Sequence, residues 1–217
     1  CNNISATIEY TLRAMEDAID SGAVILSNSW GYNACSLLHP YYENTIRWAN
    51  DSDGVLVIFS AGTCTYPDPA PECNECVHYP ANIDDAFAVA ANDLGLGRWE
   101  YSAYNDTAYD IEVSAPGVNI VSLDQMGQGK GRDNSGQCKY EYDVLCGLYG
   151  TSMAAPHVAG ATALLLSAAP GLQGDPLAVR SILLATIEDY GEEGRDQRFG
   201  FGRLDGLSAA ETAVSIL

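Results

Sequence analysis

Between residues 5 and 21 the apolar side chains Ile8, Leu12, Met15 and Ile19 recur at i, i+4, i+7 and i+11, with Glu9, Arg13, Glu16, Asp17 and Asp20 between them. One apolar stripe on a 3.6-residue period predicts an amphipathic helix, and Gly22 is placed to stop it. The run Ala23-Val24-Ile25-Leu26 follows without polar alternation, which predicts a strand covered on both faces. A second helix is expected around Tyr42 to Ala49, then a second unbroken apolar strand, Val55-Leu56-Val57-Ile58-Phe59. Helix then buried strand, twice over, predicts a mostly parallel sheet in an α/β layer fold.

Short apolar runs at Ala86 to Ala91 and Val118 to Val121 are expected to extend that sheet. Loop signals separate them: Pro67-Asp68-Pro69, Ala115-Pro116-Gly117 and the stretch Gly127 to Gly136. From Ser152 to Ala168 the chain is dominated by Ala, Leu and Val, the composition of a helix buried nearly all round. Two helices, about Pro176 to Ala185 and Leu207 to Ile216, close the chain. No internal repeat and no Pro-, Gly- or Ser-rich linker divides the 217 residues, so one domain over residues 1–217 is expected.

A formal charge of -19 opposes binding to nucleic acid, whose affinity is built from Lys and Arg, and mildly favours cationic substrates. The longest apolar stretches, such as Ala161 to Leu166, fall far short of the roughly 20 residues that cross a bilayer. Seven cysteines, Cys1, Cys35, Cys64, Cys73, Cys76, Cys138 and Cys146, point to an oxidising compartment, hence to a secreted or extracellular protein. Their odd number leaves at least one without an intrachain partner. Cys64, Cys73, Cys76 and His78 have the residue types of a tetrahedral zinc site, but a disulfide in this loop is the favoured reading. Cys138 and Cys146 are spaced for a hairpin staple. The polar start Cys1-Asn2-Asn3 has no signal-peptide series and reads as a cut or processed end.

The chemistry concentrates in Gly150-Thr151-Ser152-Met153-Ala154-Ala155-Pro156-His157-Val158-Ala159-Gly160. A serine where a glycine-containing loop enters a helix exposes its hydroxyl, while the first-turn N–H groups and the helix dipole favour an oxyanion nearby. Pro156 fits the first turns of such a helix. On this ground alone, a serine that merely caps a buried helix is the alternative.

All eleven positions of this segment resemble the nucleophile motif of the subtilisin-like serine peptidases, the subtilases. Other segments follow in that family's order. Ser27-Asn28-Ser29-Trp30-Gly31 resembles the stretch that pairs with substrate backbone, and Ser60-Ala61-Gly62 the wall of the S1 pocket. Tyr79-Pro80-Ala81, ahead of Ala86-Phe87-Ala88-Val89-Ala90, resembles the segment that closes the pocket. Val113-Ser114-Ala115-Pro116-Gly117 and Gly200-Phe201-Gly202-Arg203-Leu204-Asp205 resemble later landmarks. The resemblance implies a subtilisin-like three-layer α/β fold with a buried helix starting at Ser152, and an endopeptidase that acylates Ser152. Substrate-binding positions would be Ser29, Trp30, Gly31, Ser60, Ala61 and Gly62. No cofactor is implied as a requirement. Calcium is admitted as a structural ion, without an EF-hand-like ligand series, and Glu192-Glu193 reads as a solvated face.

Two departures from the family pattern bear on activity. The family's catalytic Asp and His lie N-terminal to everything matched, in Asp-Ser/Thr-Gly and His-Gly-Thr settings, and neither setting occurs here. The histidines are His39, His78 and His157, and the family role of His157 is structural. A serine needs an adjacent base held by a third group, so the Asp and His are expected from an N-terminal segment or chain, without which these residues are inactive. The second departure is Thr63, where the family usually has the Asn that donates to the oxyanion. Its single O–H could serve in altered geometry, or Thr63 is only a loop residue. A pseudopeptidase scaffold retained for binding is therefore the rival reading. An α/β-hydrolase esterase fits poorly, because the segment lacks the final Gly of Gly-x-Ser-x-Gly.

Overall fold

A computed structural model describes residues 4–32, 40–64, 76–93, 95, 97–108, 110–123 and 144–216. His39, Cys1, Cys35, Cys73, Cys138 and the Gly127–Gly136 stretch lie outside the described residues. The first helix, α1 (Ile4–Asp20), carries the predicted stripe, with Ile8, Met15 and Ile19 buried. Its end is closed by the Gly22 N–H on Ile19 O at 2.8 Å. Strand β1 (Ile25–Asn28) starts two residues later than the apolar run, and α2 (Pro40–Ser52) is longer than predicted. Every residue of β2 (Leu56–Ser60) and of β3 (Phe87–Asn92) is buried, as continuous apolar runs require of central parallel strands. With β4 (Val113–Pro116) they form an all-parallel sheet of order β1-β2-β3-β4.

Alternation along the strands divides the core between two faces. Val57, Phe59, Ala88 and Ala90 pack with α1 and α2, through residues such as Met15, Ile19, Tyr42 and Ile46. Leu56, Ile58, Phe87, Val89 and Ala91 pack with α3 (Thr151–Ala168), α4 (Pro176–Ala185) and α5 (Gly206–Ile216). Helices on both faces of one sheet make the three layers. The Tyr42 hydroxyl, bonded to the Thr11 and Tyr32 hydroxyls, has its pKa raised by burial. Among the described residues, no helix is long and apolar enough to cross a membrane.

Two expectations are corrected. The Val118–Val121 run does not extend the parallel sheet: β5 (Ile120–Leu123) pairs antiparallel with β6 (Val144–Leu148) in a separate two-stranded sheet. An apolar run does not say which partner covers it, and here Val121 and Leu123 stay exposed. The helix after Ser152 is not buried all round. Its inner face, Ala154, Ala155, Val158, Ala161, Leu165 and Leu166, is buried, whereas Pro156, His157, Gly160 and Leu164 face outward, Leu164 with 62% of its surface exposed.

At the far end of the sheet, Glu112 is a buried carboxylate held by two arginines. Its Oε1 lies 2.6 Å from Arg180 on α4 and 2.9 Å from Arg195 in the loop ahead of Gly200. The Arg180 guanidinium lies over Phe87 and that of Arg195 over Phe201. This cluster ties α4 and the C-terminal loop to the residue before β4, which in turn reaches the candidate site through Gly117.

Candidate active site

The carboxyl ends of the four parallel strands meet the N-terminus of α3. Gly150 is the N-cap, at φ 141° and ψ 161°, and no side chain caps the helix. A β-carbon there would be strained at that φ. The Gly150 N–H is anchored on Gly117 O at 2.8 Å, just past β4. Ser152 follows in the first turn, where its own N–H has no intrahelical partner and lies at the positive end of the dipole.

The Ser152 hydroxyl faces the end of β1: its Oγ is 3.4 Å from Ser29 O, and the Ser29 hydroxyl donates in return to Ser152 O at 2.8 Å. The only described hydrogen-bond partner of Ser152 Oγ is thus a backbone carbonyl, which accepts the hydrogen bond but is too weak a base to take the proton. Neither described histidine fills that role. His157 Nδ1 donates to Met153 O at 2.8 Å along the exposed face of α3. His78 packs its ring on Gly62, where a β-carbon would come within 2.2 Å of it at a φ of +109°. Burial there lowers the His78 pKa, so it is neutral at neutral pH.

At the end of β2, two groups, the Gly62 N–H and the Thr63 hydroxyl, make three contacts with the residue before the serine. The Gly62 N–H donates to Thr151 Oγ1 at 3.2 Å, the Thr151 N–H donates to Thr63 Oγ1 at 3.3 Å, and the two hydroxyls lie 3.2 Å apart. Each hydroxyl oxygen already accepts one N–H, and one hydroxyl proton occupies the bond between them. One proton is left over. When Thr151 is the donor, that spare proton sits on Thr63, which is exposed. The sequence offered Thr63 as a departure, but nothing in it marked Thr151 as its partner.

The other predicted binding positions are brought to the same edge. Ser29 and Gly31 are exposed, while the Trp30 side chain is half-buried, with its Nε1 on Asn28 Oδ1 at 3.1 Å and its ring against Phe59 and Tyr42. Backbone is what this stretch offers. Ser60, Ala61 and Gly62 are buried beneath His78, whose N–H donates to Ala61 O at 2.8 Å. Tyr79-Pro80 packs alongside: the Tyr32 N–H donates to Tyr79 O at 2.7 Å. Beside Ser152 a groove of about 590 Å³ opens between the β5–β6 pair and the outer face of α3, lined by Ile120, Leu148, Met153, Pro156, Gly160 and Leu164 among others. Among the described residues, no group of three or more His, Cys, Asp or Glu side chains converges on a metal position.

A helix that presents a serine in its first turn to the carboxyl edge of a parallel sheet, with helices on both faces, is the arrangement of the subtilisin-like fold. The sequence model of the subtilase family matches residues 1–202, and the chain belongs to that family. Fervidolysin of Fervidobacterium pennivorans is 30% identical over 205 residues, covering 89% of this chain and 26% of that relative. Subtilisin DY of Bacillus licheniformis is 28% identical over 213 residues, covering 97% of this chain and 64% of its own. Among solved structures, the prenylagaramide maturation protease PagA superposes with a TM-score of 0.71 at 28% identity, covering 94% of this chain and 67% of its own. Fervidolysin superposes with a TM-score of 0.70 at 26% identity, covering 94% of this chain and 29% of its own. The chain therefore spans from about a quarter to two thirds of the length of these relatives.

Proposed function

We propose that this chain is the nucleophile-bearing part of a secreted serine endopeptidase, active when an N-terminal segment or chain supplies the catalytic Asp and His. The observation that carries the reading is Ser152 at the first turn of α3 with its hydroxyl proton parked on Ser29 O. In the proposed reaction an imported imidazole takes that proton as Oγ attacks the peptide carbonyl. The Ser152 N–H and the spare hydroxyl proton of the Thr63–Thr151 pair receive the oxyanion. The imidazolium then protonates the leaving amine, and water, activated by the same base, releases the acyl group. Peptide hydrolysis by this route needs no cofactor, and calcium would serve structure only. The open apolar groove ending at Ser152 supports the missing partner, since it gives the base-bearing segment a face to cover and an approach to Oγ.

Substrate backbone would pair along Ser29-Trp30-Gly31, with Ser60, Ala61 and Gly62 as the wall of the first acyl-side pocket. An oxidising destination is part of the same reading, with a disulfide proposed in the loop that carries Cys64, Cys73 and Cys76, and Cys138 as the proposed partner of Cys146. Relatives include the halolysin-like extracellular protease Nep of Natrialba magadii, 33% identical over 162 residues.

Thr63 also favours a second reading, a pseudopeptidase scaffold. The two separate on one assay. Joined to its N-terminal segment, the protein is expected to hydrolyse peptides. Thr63→Val is expected to lower kcat by on the order of 10², the cost of one lost oxyanion donor, and Thr63→Asn to raise it. Hydrolysis in which Thr63→Val leaves kcat unchanged would remove Thr63 from the oxyanion site. No hydrolysis by the joined protein would favour the scaffold.

A further inference from the structure

The proposed reaction leaves one built feature of the site unused, an aromatic plate formed by Tyr149. This residue lies three positions ahead of Ser152, and 50% of its surface is exposed. Three contacts fix it. Its ring stacks on Trp99 with centroids 6.5 Å apart and planes 25° from parallel. Its hydroxyl donates to Asn119 Oδ1 at 2.7 Å. The next residue's N–H, that of Gly150, is held on Gly117 O. Trp99 is nearly buried and packs in turn on Tyr101, with ring centroids 5.2 Å apart. An exposed aromatic fixed in this way offers a flat face with little rotamer freedom left to lose on contact, the property that makes Tyr an effective recognition anchor.

The sheet order gives the plate a side. Ser152 touches Ser29 at the end of β1, and Thr151 touches Gly62 and Thr63 at the end of β2. Trp99 follows β3 and Asn119 follows β4. Because the strands run β1-β2-β3-β4 across the sheet, the acyl-side segments, with Ser152 against Ser29, lie at one end of the edge and the plate at the other. On the peptidase reading above, on which this inference rests, the plate lies on the leaving-group side of the scissile bond.

We propose that Tyr149 is a specificity-determining residue that receives a basic side chain, arginine or lysine, from the leaving-group portion of the substrate. A phenol donating its proton to Asn119 gains electron density, which strengthens the attraction of the ring face for a cation. A chain with a net charge of -19 attracts cationic peptides in general. The pairing already recurs within this protein, where Arg98 lies 4.5 Å from the Tyr104 ring centroid and Arg203 lies 4.6 Å from that of Tyr190.

The test uses the protein joined to its N-terminal segment and peptides carrying Arg, Phe or Ala at each of the first three positions after the scissile bond. Arg at one of these positions is expected to raise kcat/KM about fivefold over Ala. Tyr149→Ala should abolish that preference, and Tyr149→Phe, which keeps the ring, should retain most of it. A second readout needs no turnover: binding of the same peptides to the Ser152→Ala protein, followed by tryptophan fluorescence. Turnover without an Arg preference, a preference for Phe, or an Arg preference that survives Tyr149→Ala would overturn the proposal. Binding of Arg peptides that depends on Tyr149, in a protein that hydrolyses nothing, would defeat the peptidase reading and uphold the subsite. Neither turnover nor Tyr149-dependent binding would overturn both.

Discussion

Replacing Ser152 by alanine in the protein joined to its N-terminal segment is expected to reduce peptide hydrolysis by on the order of 10⁶, the loss that subtilisin itself suffers when its serine is removed. The magnitude follows from a triad that acts as a unit: without Oγ, the imported histidine and aspartate have nothing to activate, and only binding and the oxyanion donors remain. The variant should keep its fold, because among the described residues Ser152 Oγ makes one long hydrogen bond, to Ser29 O at 3.4 Å, and Ala154, Ala155 and Val158 carry packing of α3. Steady-state hydrolysis and circular dichroism on the same sample read both halves. Activity within tenfold of the parent would mean that the chemistry runs through another group.

The second large effect is on stability and lies away from the chemistry. Glu112→Gln is expected to destabilise the protein by about 3 kcal/mol and to lower its thermal midpoint by roughly 5–10 °C. Removing the carboxylate leaves the Arg180 and Arg195 guanidiniums facing a neutral amide in a site where the Glu112 side chain is only 6% exposed. Both arginines keep partial access to water, which places the cost at the lower end of the range for broken buried pairs. A midpoint within a degree of the parent would show that Phe87 and Phe201, and not Glu112, hold these guanidiniums in place.

What the sequence disclosed, and what it concealed, divides along physical lines. The stripe of α1 and the unbroken runs of β2 and β3 were legible because a parallel strand buried on both faces demands apolar side chains at nearly every position, whereas β1, at the sheet's edge, keeps only Ile25 and Leu26 of its apolar run and leaves Ser27 exposed, so it is not covered on both faces as expected. Strand β4 was quoted as a family landmark and not as a strand, since Val113-Ser114-Ala115-Pro116 is too short and too mixed to show a period. The β5–β6 pair was misplaced because Ile120, Val121 and Leu123 are apolar without being buried, and hydrophobicity then carries no information about the partner. The outward face of α3 was missed for a related reason: Pro156, Gly160 and Leu164 have the composition of an interior helix, yet here they border an open groove.

Ser152 was legible from one contiguous motif. The hydroxyl pair Thr63–Thr151 joins residues 88 positions apart, and the Tyr149–Trp99 stack likewise joins segments distant in the chain. Contacts of that kind leave no mark in local pattern. Glu112 with Arg180 and Arg195 is equally silent, since three charged residues in three segments read as three solvated side chains until the fold brings them together.

The central proposal is that Ser152 is a nucleophile whose base comes from an N-terminal segment, since neither described histidine reaches its hydroxyl. Labelling by a fluorophosphonate, followed in time and located by mass spectrometry of the Ser152 peptide, tests it most directly. The isolated chain is expected to leave the reagent unreacted over hours, and the protein joined to its N-terminal segment to be labelled rapidly at Ser152 and nowhere else. Rapid labelling of Ser152 in the isolated chain would contradict the account, because His39, His78 or His157 would then have to be serving as the base.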